Sequence, residues 1–348
     1  MSTTVTLTVD GIFFITHIRF LHELQRMNRV DFAILGSGAI GSIIGAHLAR
    51  AGCHVVMLAR GNRARQIEQD GLRITGLAEF CQTVSVVTEP TSLQAADVLI
   101  MATKTQDSEL ALAPLRGAAI GAAFSVQNGI MKNELLADCF GPEKILGSLA
   151  DTSGELLRSG EVKFNRNANV YLGELDGSNS KRAQEIAGAI NASGVRSTSV
   201  VDIRRLEWSK FASWVGMMIL SATTRAYTWK YLTDPGSALV LARLVREIRL
   251  LAATCRIELS DQAVLPVAAL CVNSEQEAVA AIQRAGNLLQ STSPGHRMST
   301  LQDLEAGRAL EVEETLGWAV RMAKQHNLSL PLLDSFYPLL AAIDRVRR

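Results

Sequence analysis

Six residues near the start of the chain, Gly36-Ser37-Gly38-Ala39-Ile40-Gly41, have the types and spacing that hold a pyrophosphate. They follow the apolar run Phe32-Ala33-Ile34-Leu35 and lead into Ile43, Ile44 and Leu48 at helical intervals. In a G-x-G-x-x-G turn between strand and helix, the first glycine makes the tight turn. The second lets backbone approach a phosphate, and the third packs helix on strand. The free N–H groups and the dipole of the helix start then attract an anion. A dinucleotide is the ligand this pattern fits. The pattern calls for an acidic residue about 20 positions on, to take the ribose 2′-hydroxyl of NAD. Arg60 stands at that distance from Gly41. A guanidinium there pairs with a 2′-phosphate that a carboxylate would repel, so NADP(H) is the expected cofactor. The neighbouring Arg63 and Arg65 leave open a merely solvated basic surface.

Other candidates lie downstream. Val98-Leu99-Ile100-Met101-Ala102 reads as a strand buried on both faces, and Lys104 follows its carboxyl end, where open α/β sheets bind ligands. Asn128 follows the strand Ala122-Ala123-Phe124-Ser125-Val126 in the same way. By position alone Lys104 is equally an ordinary loop lysine, and Asn128 a turn asparagine before Gly129. The helix predicted from Leu206 to Ala222 carries Phe211, Val215, Met218, Ile219 and Ala222 on one apolar face, with Lys210 beside it. Lys210 either snorkels to solvent or lines a cleft, where a buried ammonium serves as a general acid. Ser299 stands where an N-cap would, at the start of a short helix closed by Gly307. Glu311 opens a further helix with Val312, Leu316, Ala319, Val320 and Ala323 inward, a place that suits a carboxylate on dipole grounds alone.

The elements that must position these residues follow from the hydrophobic pattern. After the glycine turn come strands at 54–58, 84–87, 98–102, 122–126 and 145–149, the last with nothing in it that carries chemistry. A strand-like run at 169–173 and a helix over 181–193 follow, and from about 203 the pattern is helical almost throughout. The expected fold class is α/β: an N-terminal Rossmann dinucleotide-binding domain over 30–202 and a C-terminal all-helical domain over 203–348. Residues 1–29 read as an extension without the positive start and cleavage site of a secretory signal, and 1–26 are expected to be unessential because no pattern for a partner stands there. A net charge of +1 speaks against a nucleic-acid surface. No apolar run approaches the ~20 residues that cross a bilayer. The five cysteines are scattered, odd in number and without metal spacing, which fits reduced thiols in a cytoplasmic protein with no metal.

In four blocks the sequence resembles the ketopantoate reductase (2-dehydropantoate 2-reductase) family. They are Gly36 to Gly41, Gln127-Asn128-Gly129, Glu207-Trp208-Ser209-Lys210-Phe211, and the stretch from Ser299 to Glu311. In the last block Ser299, Gln302-Asp303, Gly307-Arg308 and Glu311 keep the family spacing without a gap, and Asn327 to Pro331 resembles the family's ending. The resemblance implies reduction of a 2-oxo acid with NADPH, in a cleft between the Rossmann and helical domains. It implies that Lys210 is the catalytic lysine, protonating the carbonyl oxygen, and that Glu311 holds it in place. It further implies that Ser299 binds substrate, that Asn128 and Lys104 lie near the nicotinamide and substrate, and that Arg60 holds the 2′-phosphate. One departure bears on the substrate. The biosynthetic enzymes carry asparagines four and eight residues after the lysine, where this chain has Trp214 and Met218. Each lost hydrogen bond weakens binding of a hydroxylated substrate by ~1–3 kcal/mol.

The leading expectation is therefore an NADPH-dependent reductase taking ketopantoate to pantoate in pantothenate biosynthesis. The nearest alternative is the same mechanism on a more apolar or aromatic oxo acid, contacted by Trp214 and Met218. A third is a non-catalytic NADPH-binding sensor, which the retained Lys210 and Glu311 speak against. A homodimer is compatible with all three.

Overall fold

The computed structural model describes residues 30–261 and 265–347. The expectation for an unessential extension lies outside the described residues. The first half alternates strands and helices. It contains β1 (Phe32–Leu35), α1 (Ala39–Arg50), β2 (Val55–Leu58), α2 (Gly61–Asp70), β3 (Leu72–Gly76), β4 (Phe80–Gln82) and β5 (Ser85–Val87). β6 (Ala95–Met101), α3 (Ser108–Leu112), β7 (Ala119–Ser125) and α4 (Met131–Phe140) follow. β1, β2, β5, β6 and β7 form one parallel sheet in the order β5-β2-β1-β6-β7, with Phe32 to Leu35 in register with Val55 to Leu58 on one side and Val98 to Met101 on the other. Every residue of β1 is buried, as a central strand covered on both faces requires. The order reverses direction at β1, and there the strand ends open a crevice for a ligand.

The strand predicted at 145–149 does not extend this sheet, apart from one parallel bridge between Ile145 and Ala123. It belongs to β8 (Leu146–Leu156), which pairs antiparallel with β9 (Val162–Glu174) in a second sheet of order β10-β9-β3-β4, where β10 is Ser197–Ser199. The sequence reading misses β3 and β4, and sees only part of β9. These strands mix exposed and buried positions, so no apolar run marks them. Between β9 and β10 lies α5 (Lys181–Ala192).

The second half is helical: α6 (Ile203–Thr224), α7 (Thr228–Thr233), α8 (Pro235–Thr254), α9 (Val267–Val272), α10 (Glu275–Thr292), α11 (Ser299–Glu305), a π turn (Glu313–Gly317), α12 (Trp318–Gln325) and α13 (Pro331–Val346). α6 opens on Asp202, whose side chain accepts the Arg205 N–H, a capped start. It is not the one-sided helix the sequence suggests, because every residue from Phe211 to Ala222 is buried. Neighbouring helices and β8 cover it all round, which makes it the axis of the helical core. Gly216 lets α8 come close: a Cβ there would lie 2.3 Å from Leu241 Cδ1. Among the described residues no helix is long and apolar enough to cross a membrane, and no group of His, Cys, Asp and Glu is placed to hold a metal. All five cysteines are free.

Candidate active site

The glycine turn has the shape its sequence requires. Gly36 has φ +108°, and a Cβ on it would lie 2.6 Å from the Thr103 nitrogen. On Gly41 a Cβ would lie 2.1 Å from the Gly36 oxygen, so only glycine lets α1 sit this close. Gly38 differs from both, because the nearest atom to its Cβ position is the Ala102 oxygen, 3.9 Å away. The space over Gly38 is open to an approaching ligand. Ser37, Ala39 and Ile40 fill the turn and the first helical positions. No side chain caps α1 and no acidic residue stands in its first turn, so its leading N–H groups face outward with positive potential.

Arg60 is exposed at the start of α2, just past β2; its carbonyl accepts the Ala64 N–H at 3.4 Å, while its side chain makes no hydrogen bond or ion pair with the described residues. Its guanidinium is available to an anion beside the turn. Arg63 is no solvated surface arginine. Its Nε donates to the Ser37 carbonyl at 3.2 Å, Nη2 to Ser42 Oγ at 3.1 Å and Nη1 to the Gly160 carbonyl at 2.8 Å. It braces the turn from below, and burial lowers its pKa.

Across the crevice, Lys104 and Glu311 meet. Lys104 Nζ donates to Asp303 Oδ2 at 2.7 Å and lies 3.9 Å from Glu311 Oε2. Glu311 Oε1 accepts the Thr105 N–H at 3.1 Å. Asp303 is also held by Arg308 Nε at 2.7 Å. Burial works against the Lys104 charge, but the two facing carboxylates outweigh it and raise the lysine's pKa. Glu311 thus binds the end of β6 rather than Lys210. Its oxygens are taken by Lys104 and Thr105, so it reaches Lys210 only through the field.

Lys210 projects from the middle of α6 and donates to the Ala150 carbonyl of β8 at 2.8 Å. It lines a small recess with Asn128, Gly129, Leu149, Phe211 and Trp214. Burial, with the nearby ammonium of Lys132 adding to it, pushes its pKa down to about 8, against the pull of Asp151, Glu311 and Glu207. Two expectations shift. Met218 is buried with the Thr315 hydroxyl 3.8 Å from its sulfur, and of the two apolar replacements Trp214 lines the recess with Lys210 whereas Met218 does not. Ser299 does not cap its helix: the cap position is Met298, and Ser299 is the first helical residue, partly exposed.

The sequence alone gives Lys132 and Glu207 no role at the site. Both side chains are 3% exposed, and they pair at 3.3 Å beside the recess. The stretch 145–149, expected to carry no chemistry, opens β8, whose backbone atoms at Ser148 and Ala150 hold Glu207, Lys132 and Lys210. No local signal marks a carbonyl as a ligand for lysine.

A parallel sheet with an open glycine turn, facing a helical unit that aims a lysine into the crevice, defines an oxidoreductase of the Rossmann type. The family model for ketopantoate reductase PanE/ApbA matches residues 32–177, and that for its C-terminal part matches residues 202–344. The chain belongs to the ketopantoate reductase family. It is 26% identical over 320 residues to the 2-dehydropantoate 2-reductase of Archaeoglobus fulgidus, covering 92% of this chain and 99% of the relative. The Halobacterium salinarum 2-dehydropantoate 2-reductase is 24% identical, covering 90% and 98%. In fold it is similar to the PanE/ApbA family ketopantoate reductase from Ralstonia eutropha JMP134, with TM-score 0.77 and 23% identity over 91% of this chain and 99% of that one. It is equally similar to a D-mandelate dehydrogenase in ternary complex with NADH and anilino(oxo)acetate, with TM-score 0.77 and 21% identity over the same shares.

Proposed function

We propose that the protein reduces a 2-oxo acid to the 2-hydroxy acid with NADPH, ketopantoate being the substrate its family favours. The observation that carries this reading is Lys210, held by Ala150 in the recess with its pKa near about 8. An ammonium so tuned is protonated at neutral pH and close to giving its proton up, which suits a general acid. The residues present fit a phosphorylated dinucleotide: the space over Gly38 is open, the start of α1 is uncapped, and Arg60 is unpaired beside it. Bound there, NADPH would supply the hydride that the carbonyl carbon takes up. Lys210 then donates to the carbonyl oxygen and stabilises its developing charge. Asn128, on the same recess, offers an amide to orient the oxo acid, and the family resemblance assigns Ser299 and Lys104 to the substrate's side as well. Glu311 fixes Lys104 and Thr105 and so holds the crevice wall.

Trp214 favours a second reading, in which the same chemistry acts on an aromatic or more apolar oxo acid. Its ring stands one turn from Lys210 on the recess, and the D-mandelate dehydrogenase of similar fold, in complex with NADH and anilino(oxo)acetate, supports this reading. A panel of 2-oxo acids, followed by NADPH absorbance, decides. Highest kcat/KM with ketopantoate supports the first reading, and with an aryl oxo acid the second. Binding of NADPH without turnover of any member would sink both and leave a sensor. In the same assay Lys210→Ala is expected to lower kcat by about 10²–10⁴ with NADPH affinity nearly unchanged.

A further inference from the structure

Behind Lys210 lies a second buried ammonium with no part in the reaction as drawn above. Lys132 Nζ donates to the carbonyls of Ser125 at 3.2 Å and Gln127 at 3.2 Å, and to that of Ser148. Its counter-charge is Glu207, whose Oε1 also accepts the Ser148 N–H at 3.0 Å and whose Oε2 accepts Asn133 Nδ2 at 2.9 Å. A buried ion pair holds only when such extra bonds replace lost water, and here both members are bonded all round. The geometry aims the cluster at Lys210 from two sides. Glu207 and Lys210 stand three apart on α6 and share a face. Ser148 and Ala150 stand two apart on β8, so their carbonyls point to the same edge, one taking Lys132 and the other Lys210. Gln127, bound through its carbonyl to Lys132, immediately precedes Asn128 in the recess.

We infer that Lys132, with Glu207, is a positioning residue for Lys210: it fixes a like charge beside the catalytic ammonium and pins the 127–129 loop to the catalytic helix. The inference rests on the proposed reaction for its purpose, though not for its test. The charges facing Lys210 are Lys132 from α4, Asp151 from β8, Glu311 from the segment after α11, and Glu207 from its own helix. Arg166 is occupied in a two-point pair with Asp151, and Lys104 is occupied with Asp303. Among the charges that face Lys210, Lys132 is the one of like sign; burial lowers its own pKa against the pull of Glu207, and it adds to the effect of burial on Lys210.

The test reads Lys210 directly. Intact protein is acetylated with a trace of acetic anhydride across a pH series, and labelling of the Lys210 peptide is followed by mass spectrometry. The wild-type midpoint is expected near pH 8, in line with a pKa of about 8. In Lys132→Gln, whose amide still donates to the carbonyls, the midpoint should rise by about 0.5–1 pH unit, because a like charge has gone. Lys132→Arg should leave it in place. Should Lys132→Gln fail to fold, K132Q/E207Q removes both charges together and decides, with a smaller rise expected. An unmoved midpoint in a folded neutral variant overturns the inference, since a merely structural lysine would change stability without moving it. Labelling needs no turnover. A shifted midpoint in a protein that reduces no oxo acid would therefore defeat the proposed reaction and leave this inference standing.

Discussion

Lys210 and Arg60 each concentrate one function in a single charge, and each gives a prediction at that scale. The general acid must enter the reaction protonated, and Lys210 has been brought down to about 8, chiefly by burial. Loss of its proton removes the acid, so kcat/KM should be flat below that pH and fall tenfold per unit above it. A pH–rate profile with oxo acid below saturation checks this, and an alkaline limb beginning near 10 instead would mean a solvated lysine. For Arg60 the argument is a difference between cofactors. Its guanidinium is unpaired and exposed, so removing it leaves nothing buried without a partner and the fold should be untouched. A hydrogen bond to a charged group contributes about 1.5–3 kcal/mol, or roughly tenfold to a hundredfold. Arg60→Ala should raise KM for NADPH by that factor and leave KM for NADH alone. Equal effects on both would remove Arg60 from cofactor selection.

The glycine turn and α6 show how unevenly a sequence discloses its elements. The turn is legible because its constraints are local: Gly36 needs a positive φ and Gly41 needs the absence of a Cβ 2.1 Å from a neighbouring carbonyl oxygen. Since that neighbour is backbone, it cannot give way as a side chain would. Gly41→Ala should therefore push α1 off the turn, at a cost of about 1–3 kcal/mol for the forced shift. NADPH affinity, read by fluorescence titration, should fall along with Tm, whereas Gly117→Ala, with open space around it, should change neither. Lys210 was legible through the block around it, but its surroundings were not. The apolar spacing suggests a helix with one inward face, and nothing local shows that β8 and the neighbouring helices cover the rest. Lys132 and Glu207 are a lysine and a glutamate 75 positions apart, each indistinguishable from a solvated surface charge until β7, β8 and α6 converge. Local strain writes itself into residue type, and burial by distant elements does not.

On the scale of the whole molecule, the two halves meet along α6 and β8 on one side of the crevice and through a charged bridge on the other. Lys104 and Thr105, just past the end of β6, reach Asp303 and Glu311 from the helical half. Asp303 is 3% exposed and shared between Lys104 and Arg308, whereas Lys104 keeps 42% of its side chain in solvent. The bridge is therefore a modest contributor to stability and a sensitive one to salt. Its larger effect should be on the width of the crevice, because it ties the strand end to the loop that carries Glu311. Asp303→Ala removes the closest ion pair of the bridge, leaving the longer Lys104–Glu311 contact, without touching Lys210. The Lys104 and Arg308 side chains it frees are both partly in water, so the fold should lose only about 1–3 kcal/mol. KM for the oxo acid is then expected to rise severalfold, with kcat changing less. In the wild type that KM should climb as salt is raised to ~1 M and the bridge is screened. In Asp303→Ala it should start high and stay level. A variant whose KM still climbs with salt would show that the salt acts on the substrate's own charge, and the bridge would then have no share in holding the crevice closed.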